Sequence, residues 1–241
     1  MARTVVVTGG GTGIGRATAA AFAAGGDRVL ITGRRATTLD EAVAALGERV
    51  TGVVCDSTDP GQLVKLRGRI NGPVDVLVNN AGGNIELDKG PAADLQAVAE
   101  RWRTNFENNL LSAVLTTTVL EDDLAPGGAV VHIGSFAADR GNGSYGAAKA
   151  GLASWNIHIA HRLGPRDVTS NVVSPGYIVD TGFFRECITQ AFHDARVAET
   201  MTRRCGRPGD IAGVVHFLAS PAARHITGQV IPVNGGALTT R

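Results

Sequence analysis

The sequence predicts an α/β fold: one doubly wound domain over residues 1–241, a parallel sheet of seven strands with helices on both faces. Three observations predict it. Short β-branched runs alternate with longer helix-like stretches along the whole chain. The runs are apolar throughout instead of alternating in and out, as parallel strands covered on both sides should be. The first run leads into a glycine-rich turn that opens a helix.

The elements follow in order. Val5-Val6-Val7-Thr8 is too short for the core of a signal peptide and enters the glycine turn directly, so it reads as the first strand. Further strands are expected at residues 29–32, 50–55, 74–79, 129–133, 168–173 and 229–233. Cys55 closes the third as a small buried side chain. Helices are expected at residues 14–25, 38–46, 62–70, 95–124, 144–163 and 210–219, with right-handed crossovers between strands. The stretch 95–124 is long enough that a bend or break is expected. No repeat, low-complexity tract or linker divides the chain.

Composition excludes several classes. The chain is 44% hydrophobic and 19% charged, ordinary for a soluble globular protein. A net charge of +1 with scattered basic residues gives no reason to expect nucleic acid or an anionic membrane as partner. No apolar stretch approaches the roughly 20 residues of a membrane helix. The three cysteines, Cys55, Cys187 and Cys205, form no CxxC pair, so neither a metal site nor a redox dithiol is expected, and a cytoplasmic, reduced location is.

Gly9, Gly13 and Gly15, with Thr12 and Ile14 between them, stand where a chain turns sharply, brings bare backbone against a pyrophosphate and packs a helix onto a sheet. The helix near Ile14 then aims its N–H groups at the phosphates. A dinucleotide site of Rossmann type is expected, since the glycine pattern follows the first strand and lies ~20 residues before Arg34. NAD(H) would favour an acidic residue after the second strand; Gly33 stands there, followed by Arg34 and Arg35. Guanidinium groups grip a 2′-phosphate, so NADP(H) is expected in preference to NAD(H). Asp56, with Ser57 beside it, can accept from an adenine amino group or cap a helix. Asn80, Ala81 and Gly82 follow the fourth strand, where small residues admit a ligand or simply make a turn.

Tyr145 and Lys149 lie at i and i+4, on one helix face, with only Gly and Ala between them. Alone, such a pair is usually surface decoration. Beside a dinucleotide site it offers a proton donor, with a phenol whose pKa of about 10 the ammonium is expected to lower, the cationic ring of an oxidised nicotinamide adding to the effect. Ser135 falls just past the fifth strand, where it can donate to a carbonyl or cap a helix. Asn109 is a poor helix former that can hold a water for proton relay, or be a satisfied polar residue near Asn105 and Asn108.

Thr8-Gly9-x-x-x-Gly13-x-Gly15, Asn79-Asn80-Ala81-Gly82, Ser135, Tyr145-x-x-x-Lys149 and Ser174-Pro175-Gly176 together resemble the classical short-chain dehydrogenase/reductase family over essentially the whole chain. The resemblance implies a catalytic tetrad of Asn109, Ser135, Tyr145 and Lys149, with Ser135 polarising the carbonyl, Tyr145 as acid/base and Lys149 also on the nicotinamide ribose. It implies that Asn80 lies near the adenosine ribose, that Ile178, after Pro175 and Gly176, meets the carboxamide, and that Thr181 touches the cofactor's phosphate or amide end. Two departures stand out. The family often has a basic residue where Thr12 stands, and the interval from Ser135 to Tyr145 is a few residues shorter than usual. Ile133-Gly134-Ser135 reproduces the family's strand end, so Ser135 is assigned and Ser144 is read as an N-cap.

Residues 180–206 occupy the place of the family's variable substrate loop, where Phe183, Phe184, Ile188 and Phe192 suit a helix covering an apolar site. The similarity is nearest to 3-oxoacyl reductases; Arg101, Arg103, Arg140, Arg203 and Arg204 are candidates for docking a carrier protein. Apolar outer positions at Trp155, Ile157 and Leu163 fit the family's homodimers and homotetramers. The expected activity is reduction of a small carbonyl or its reverse. The alternatives are a non-catalytic dinucleotide sensor and an assembly subunit, against which the retained Tyr145/Lys149 pair argues.

Overall fold

β-branched side chains crowd a helix but fit a pleated sheet, and each β-branched run forms a strand. The computed structural model describes residues 2–184 and 188–239, so Cys187 and part of the expected 180–206 loop lie outside the described residues. The strands are β1 (Thr4–Thr8), β2 (Arg28–Gly33), β3 (Val50–Val54), β4 (Val74–Asn79), β5 (Leu124–Ile133), β6 (Thr169–Pro175) and β7 (Val230–Val233). They form one parallel sheet in the order β3-β2-β1-β4-β5-β6-β7. The chain winds outward from β1 to β3, returns to lay β4 against β1, and winds the other way. That reversal opens a crevice at the carboxyl ends of β1 and β4.

The described α-helices are α1 (Gly13–Ala24), α2 (Ala36–Leu46), α3 (Pro60–Arg67), α4 (Leu95–Phe106), α5 (Ser112–Leu120), α6 (Ala137–Arg140), α7 (Gly143–Leu163), α8 (Gln190–Ala198) and α9 (Pro208–Leu218). On one face Val5, Val7, Ile31 and Val78 pack with Phe22 of α1 and Ile211 and Val215 of α9. On the other, Val6, Leu77 and Val130 pack with Leu120 of α5 and Ile159 and Leu163 of α7. Each such fully buried side chain contributes about 1.5–3 kcal/mol.

The differences from expectation have local causes. The stretch 95–124 is not one helix: α4 passes into a π-helical turn at Glu107–Leu111, then α5, then a 3-10 turn at Glu121–Asp123. Leu124 already belongs to β5, which starts earlier than residue 129 because Leu124 pairs with Val74 across a register shift. The helix after the third strand starts at Pro60, since Asp59, not Asp56, caps it by accepting from the Gly61 and Gln62 N–H groups. Phe183 and Phe184 lie outside the described helices, and α8 begins at Gln190, where Thr189 caps it. Leu163 is fully buried in the core, so it is not an outer position.

Candidate active site

The first link is the turn from β1 into α1. Gly13 has φ +52°, and a Cβ there would press on the backbone of Thr181 at 3.1 Å. Gly15 packs so tightly that a Cβ would overlap the Gly9 carbonyl oxygen. Thr12 precedes α1 without a side-chain cap, and the first turn carries no acid. The leading N–H groups and the positive helix end therefore have no partner in this segment, the arrangement that suits an anion. Asn80 fixes the turn from the neighbouring strand, donating through Nδ2 to the carbonyls of Thr8 (2.9 Å) and Gly9 (3.0 Å). Thr8 Oγ1 accepts from the N–H groups of Asn80 and Ala81, both at 3.0 Å.

A cavity of about 710 Å³ runs from this turn across the crevice. Gly9, Thr12, Gly13 and Ile14 line its start, Arg34, Arg35, Asp56 and Ser57 one flank, and Asn80, Ala81 and Gly82 its floor. Ser135, Tyr145 and Lys149 stand at its far end with Pro175, Gly176, Ile178 and Thr181. Two of the expected catalytic and cofactor residues do not line it, and neither do Ile188 and Phe192 of the expected substrate loop. Gly15 serves packing, and Asn109 lies behind Gly82 and Gly83. Arg34 and Arg35 are exposed and form no ion pair with another described residue. Asp56 Oδ1 accepts from the Thr58 N–H and hydroxyl, which braces the loop under that flank. Around the far end, Ile85, Leu87, Phe136, Phe183 and Phe184 give an apolar wall.

Tyr145 and Lys149 are nearly fully buried on the first turns of α7. Lys149 Nζ donates to the Ile133 carbonyl at 2.8 Å and lies 5.9 Å from the Tyr145 ring centre. Ser135 Oγ accepts from the Ala137 N–H at 3.2 Å and, despite the shortened loop, lines the cavity together with Tyr145. The loop closes because α6 is a single turn ended by Gly141 in the left-handed region, with Gly146 packed against the Ala137 carbonyl. Burial pushes the phenol up to about 12, with the nearby Ser135 hydroxyl opposing it. The expected net lowering by Lys149 is therefore not what the geometry produces. Burial likewise pulls the Lys149 ammonium down to about 8.

Asn109 sits in the π-helical turn, fully buried. Its Oδ1 accepts from the Gly83 N–H at 3.0 Å, and its Nδ2 donates to the carbonyls of Gly83 and Asn105, both at 2.9 Å. The wide turn swings this side chain out of the regular ladder to clasp a loop, a recurrent use of π turns. Ser144 is not an N-cap: α7 follows Asn142, and the Ser144 hydroxyl instead meets Glu86 and Asn105.

Sequence reading missed this triad and also His132. The imidazole is fully buried on β5 between Asn79 Nδ2 at 3.1 Å and Ser170 Oγ at 3.3 Å, edge-on to Trp155. Burial, then the nearby Lys149 charge, pulls it down to about 3. A polar residue within the β5 run was its only signal. Of the arginines considered for docking, Arg140 pairs with Glu199 and Arg204 with Asp210. Cys55 is a buried free thiol and Cys205 a half-buried one. Among the described residues no cluster of His, Cys, Asp and Glu is placed to hold a metal, and no helix is long and apolar enough to cross a membrane.

A parallel sheet with this strand order and a glycine turn facing a buried tyrosine–lysine pair defines a nicotinamide-type oxidoreductase scaffold. Comparison with known proteins makes the class specific. Residues 9–238 match the family model described as enoyl-(acyl carrier protein) reductase. The chain is 35% identical to the 3-oxoacyl-acyl-carrier-protein reductase FabG of Escherichia coli, over 96% of this chain and 95% of that one. It superposes with a TM-score of 0.89 on a short-chain dehydrogenase/reductase from Brucella melitensis, at 31% identity over 99% of this chain and 97% of that one. A blue fluorescent protein from a metagenomic library, solved in complex with NADPH, gives a TM-score of 0.88 at 31% identity over 98% of both chains. The chain belongs to the classical short-chain dehydrogenase/reductase family and is similar to its 3-oxoacyl reductases.

Proposed function

We infer that the chain is an NADP(H)-dependent oxidoreductase that interconverts a ketone, 3-oxoacyl or another small apolar carbonyl, and its secondary alcohol. One observation carries the reading: the Ser135 hydroxyl, the Tyr145 phenol and the Lys149 ammonium gather on the same cavity that the glycine turn and Arg34 line. The uncapped start of α1, with Thr12, Gly13 and Ile14, fits a pyrophosphate. Arg34 and Arg35 fit a 2′-phosphate, Asp56 and Ser57 the adenine, and Asn80, Ala81 and Gly82 the adenosine ribose. Tyr145 and Lys149 would hold the nicotinamide ribose, with Pro175, Gly176, Ile178 and Thr181 around the carboxamide. When bound, the nicotinamide supplies or takes up the hydride at the carbonyl carbon.

The chain's own residues do the rest. Ser135 donates to the carbonyl oxygen and orients it. Tyr145 passes its phenolic proton to that oxygen as the hydride arrives, and takes it back in the reverse direction. Lys149 places positive charge beside the phenol as it loses its proton, while Asn109 holds the floor at Gly83. A phenol at about 12 keeps its proton at neutral pH, the form reduction needs. The apolar wall at Ile85, Phe136 and Phe183 supports an uncharged substrate.

Exposed Trp102, Leu111 and Ile157 support a homodimer or homotetramer, and a cytoplasmic location with no nucleic-acid or membrane partner completes the reading. The test is turnover of a ketone panel with NADPH. Tyr145→Phe should abolish turnover while NADPH still binds. A parent that binds NADPH and turns over nothing on the panel would favour the sensor alternative.

A further inference from the structure

The helix that carries Tyr145 begins without a cap of its own. The Asn142 side chain makes no capping bond at the start of α7, and its first turn holds no acidic residue. The Gly143 N–H donates to the Gly141 carbonyl at 3.0 Å, but an end without a side-chain cap is prone to fraying, one residue or two from a phenol that must be held still. The missing carboxylate comes from elsewhere in the chain. Glu86, on the loop after β4, accepts through Oε2 from the Ser144 hydroxyl and from Asn105 Nδ2 at 3.2 Å. Asn105 Nδ2 also donates to Ser144 Oγ at 2.8 Å. Both amide hydrogens of Asn105 and the hydroxyl hydrogen of Ser144 are thus used, with Ser144 and Asn105 fully buried.

Glu86 is itself held. Its N–H donates to Asn84 Oδ1 at 2.9 Å, and its carbonyl accepts from Lys89 N at 3.1 Å. Asn105 Oδ1 accepts from the Ile85 N–H at 3.3 Å, and Asn109 clasps Gly83 on both sides. Residues 83–86 therefore form a strap running from the π-helical turn to the residue just before Tyr145.

We propose that Glu86 is a positioning residue: through Ser144 it fixes the start of α7, and so the place of the Tyr145 phenol over the substrate. The inference rests on Tyr145 being the acid/base. A carboxylate at the positive end of a helix stabilises that end, so its charge and its geometry act together. Neither Glu86 nor Ser144 lines the cavity. Misplacing a reacting group by about 1 Å costs on the order of 100-fold in rate.

The experiment compares Glu86→Ala, Glu86→Gln, Ser144→Ala and the Glu86→Ala/Ser144→Ala double variant with the parent. Each is assayed with NADPH and the ketone the parent reduces, and its NADPH affinity is measured by fluorescence titration. Glu86→Ala should lower kcat about 10- to 100-fold, with the ketone KM and the NADPH Kd moving less than about threefold. Glu86→Gln, whose amide oxygen can accept from both donors, should return to within about fivefold of the parent. The double variant should be no worse than Glu86→Ala alone, because the two side chains act in series. A folded Glu86→Ala with parental kcat, or losses that multiply in the double variant, would overturn the inference. Should Glu86→Ala not fold, Ser144→Ala carries the same expectation and the same refutation. A parent inactive on every ketone sinks the reading beneath it; an active parent indifferent to these substitutions sinks this inference alone.

Discussion

Acidification should destabilise the protein through His132, and the size of the effect follows from its surroundings. The imidazole is fully buried and neutral: Nδ1 accepts from Asn79 Nδ2, so Nε2 carries the hydrogen toward Ser170 Oγ, which passes its own to Asn156 Oδ1 at 2.7 Å. A second proton would face the Asn79 amide donors in a dry site near the Lys149 charge. The folded value is accordingly about 3 against an ordinary 6.5. Between those two values the unfolded chain binds the extra proton, so falling pH favours unfolding. The stability is fully present above 6.5, and each pH unit below it removes about 1.4 kcal/mol. From neutrality to about pH 5 the loss from this one group is about 2 kcal/mol.

The assay is urea unfolding of the parent and His132→Gln at about pH 7, 6 and 5, taking differences so that every other titrating group cancels. The parent should lose about 2 kcal/mol more than the variant over that range. Parallel pH dependences, agreeing to within about 0.5 kcal/mol, would refute the burial argument, whatever the variant's stability at neutrality.

Two further outcomes concern the site itself. With Lys149 at about 8, the protonated fraction falls tenfold per pH unit above that, so kcat for reduction should decline along an alkaline limb of unit slope. Lys149→Arg keeps its cation at any working pH and should move that limb upward while lowering the plateau. A limb unmoved in Lys149→Arg would assign it to another group. Arg34→Ala should weaken NADPH by about tenfold or more and leave NADH nearly unchanged, read by titration with each cofactor. Equal weakening of both would overturn the preference for the phosphorylated cofactor.

The sheet was legible because parallel strands need runs apolar on both faces, and Val5–Val7 or Val76–Val78 can be little else. The glycine turn was legible because a left-handed φ at Gly13 and the close packing at Gly15 leave no room for other residues. What escaped was set by contacts far apart in sequence. Nothing local marks the π-helical turn at Glu107–Leu111, because it is held by Asn109 reaching to Gly83. The break before Leu124 depends on strand pairing with Val74, which overrides helix propensity over residues 121–124. Ser144 resembled a cap by residue type alone, and only the fold brings Glu86 and Asn105 to it. The pKa of Tyr145 was misjudged for a related reason: sequence shows the lysine one turn away but not the depth of burial.

The three buried titratable groups in and behind the far end of the cavity work as a set. At neutral pH a phenol at about 12 is uncharged, an ammonium at about 8 is mostly charged, and an imidazole at about 3 is uncharged. One positive charge therefore stands in the cavity wall, and it is anchored on the Ile133 carbonyl, next in chain to His132. A protonated His132 would set a second cation beside it and push Lys149 toward losing its own proton; burial between Asn79 and Ser170 prevents this. Removing the proton from Tyr145 creates a phenolate where that single ammonium has no competing partner carboxylate among the described residues. In the proposed reaction the gain in attraction would be realised as the proton leaves and not before, which is the condition for lowering a barrier instead of stabilising the starting state. In the proposed reaction the neutral histidine would contribute by staying uncharged.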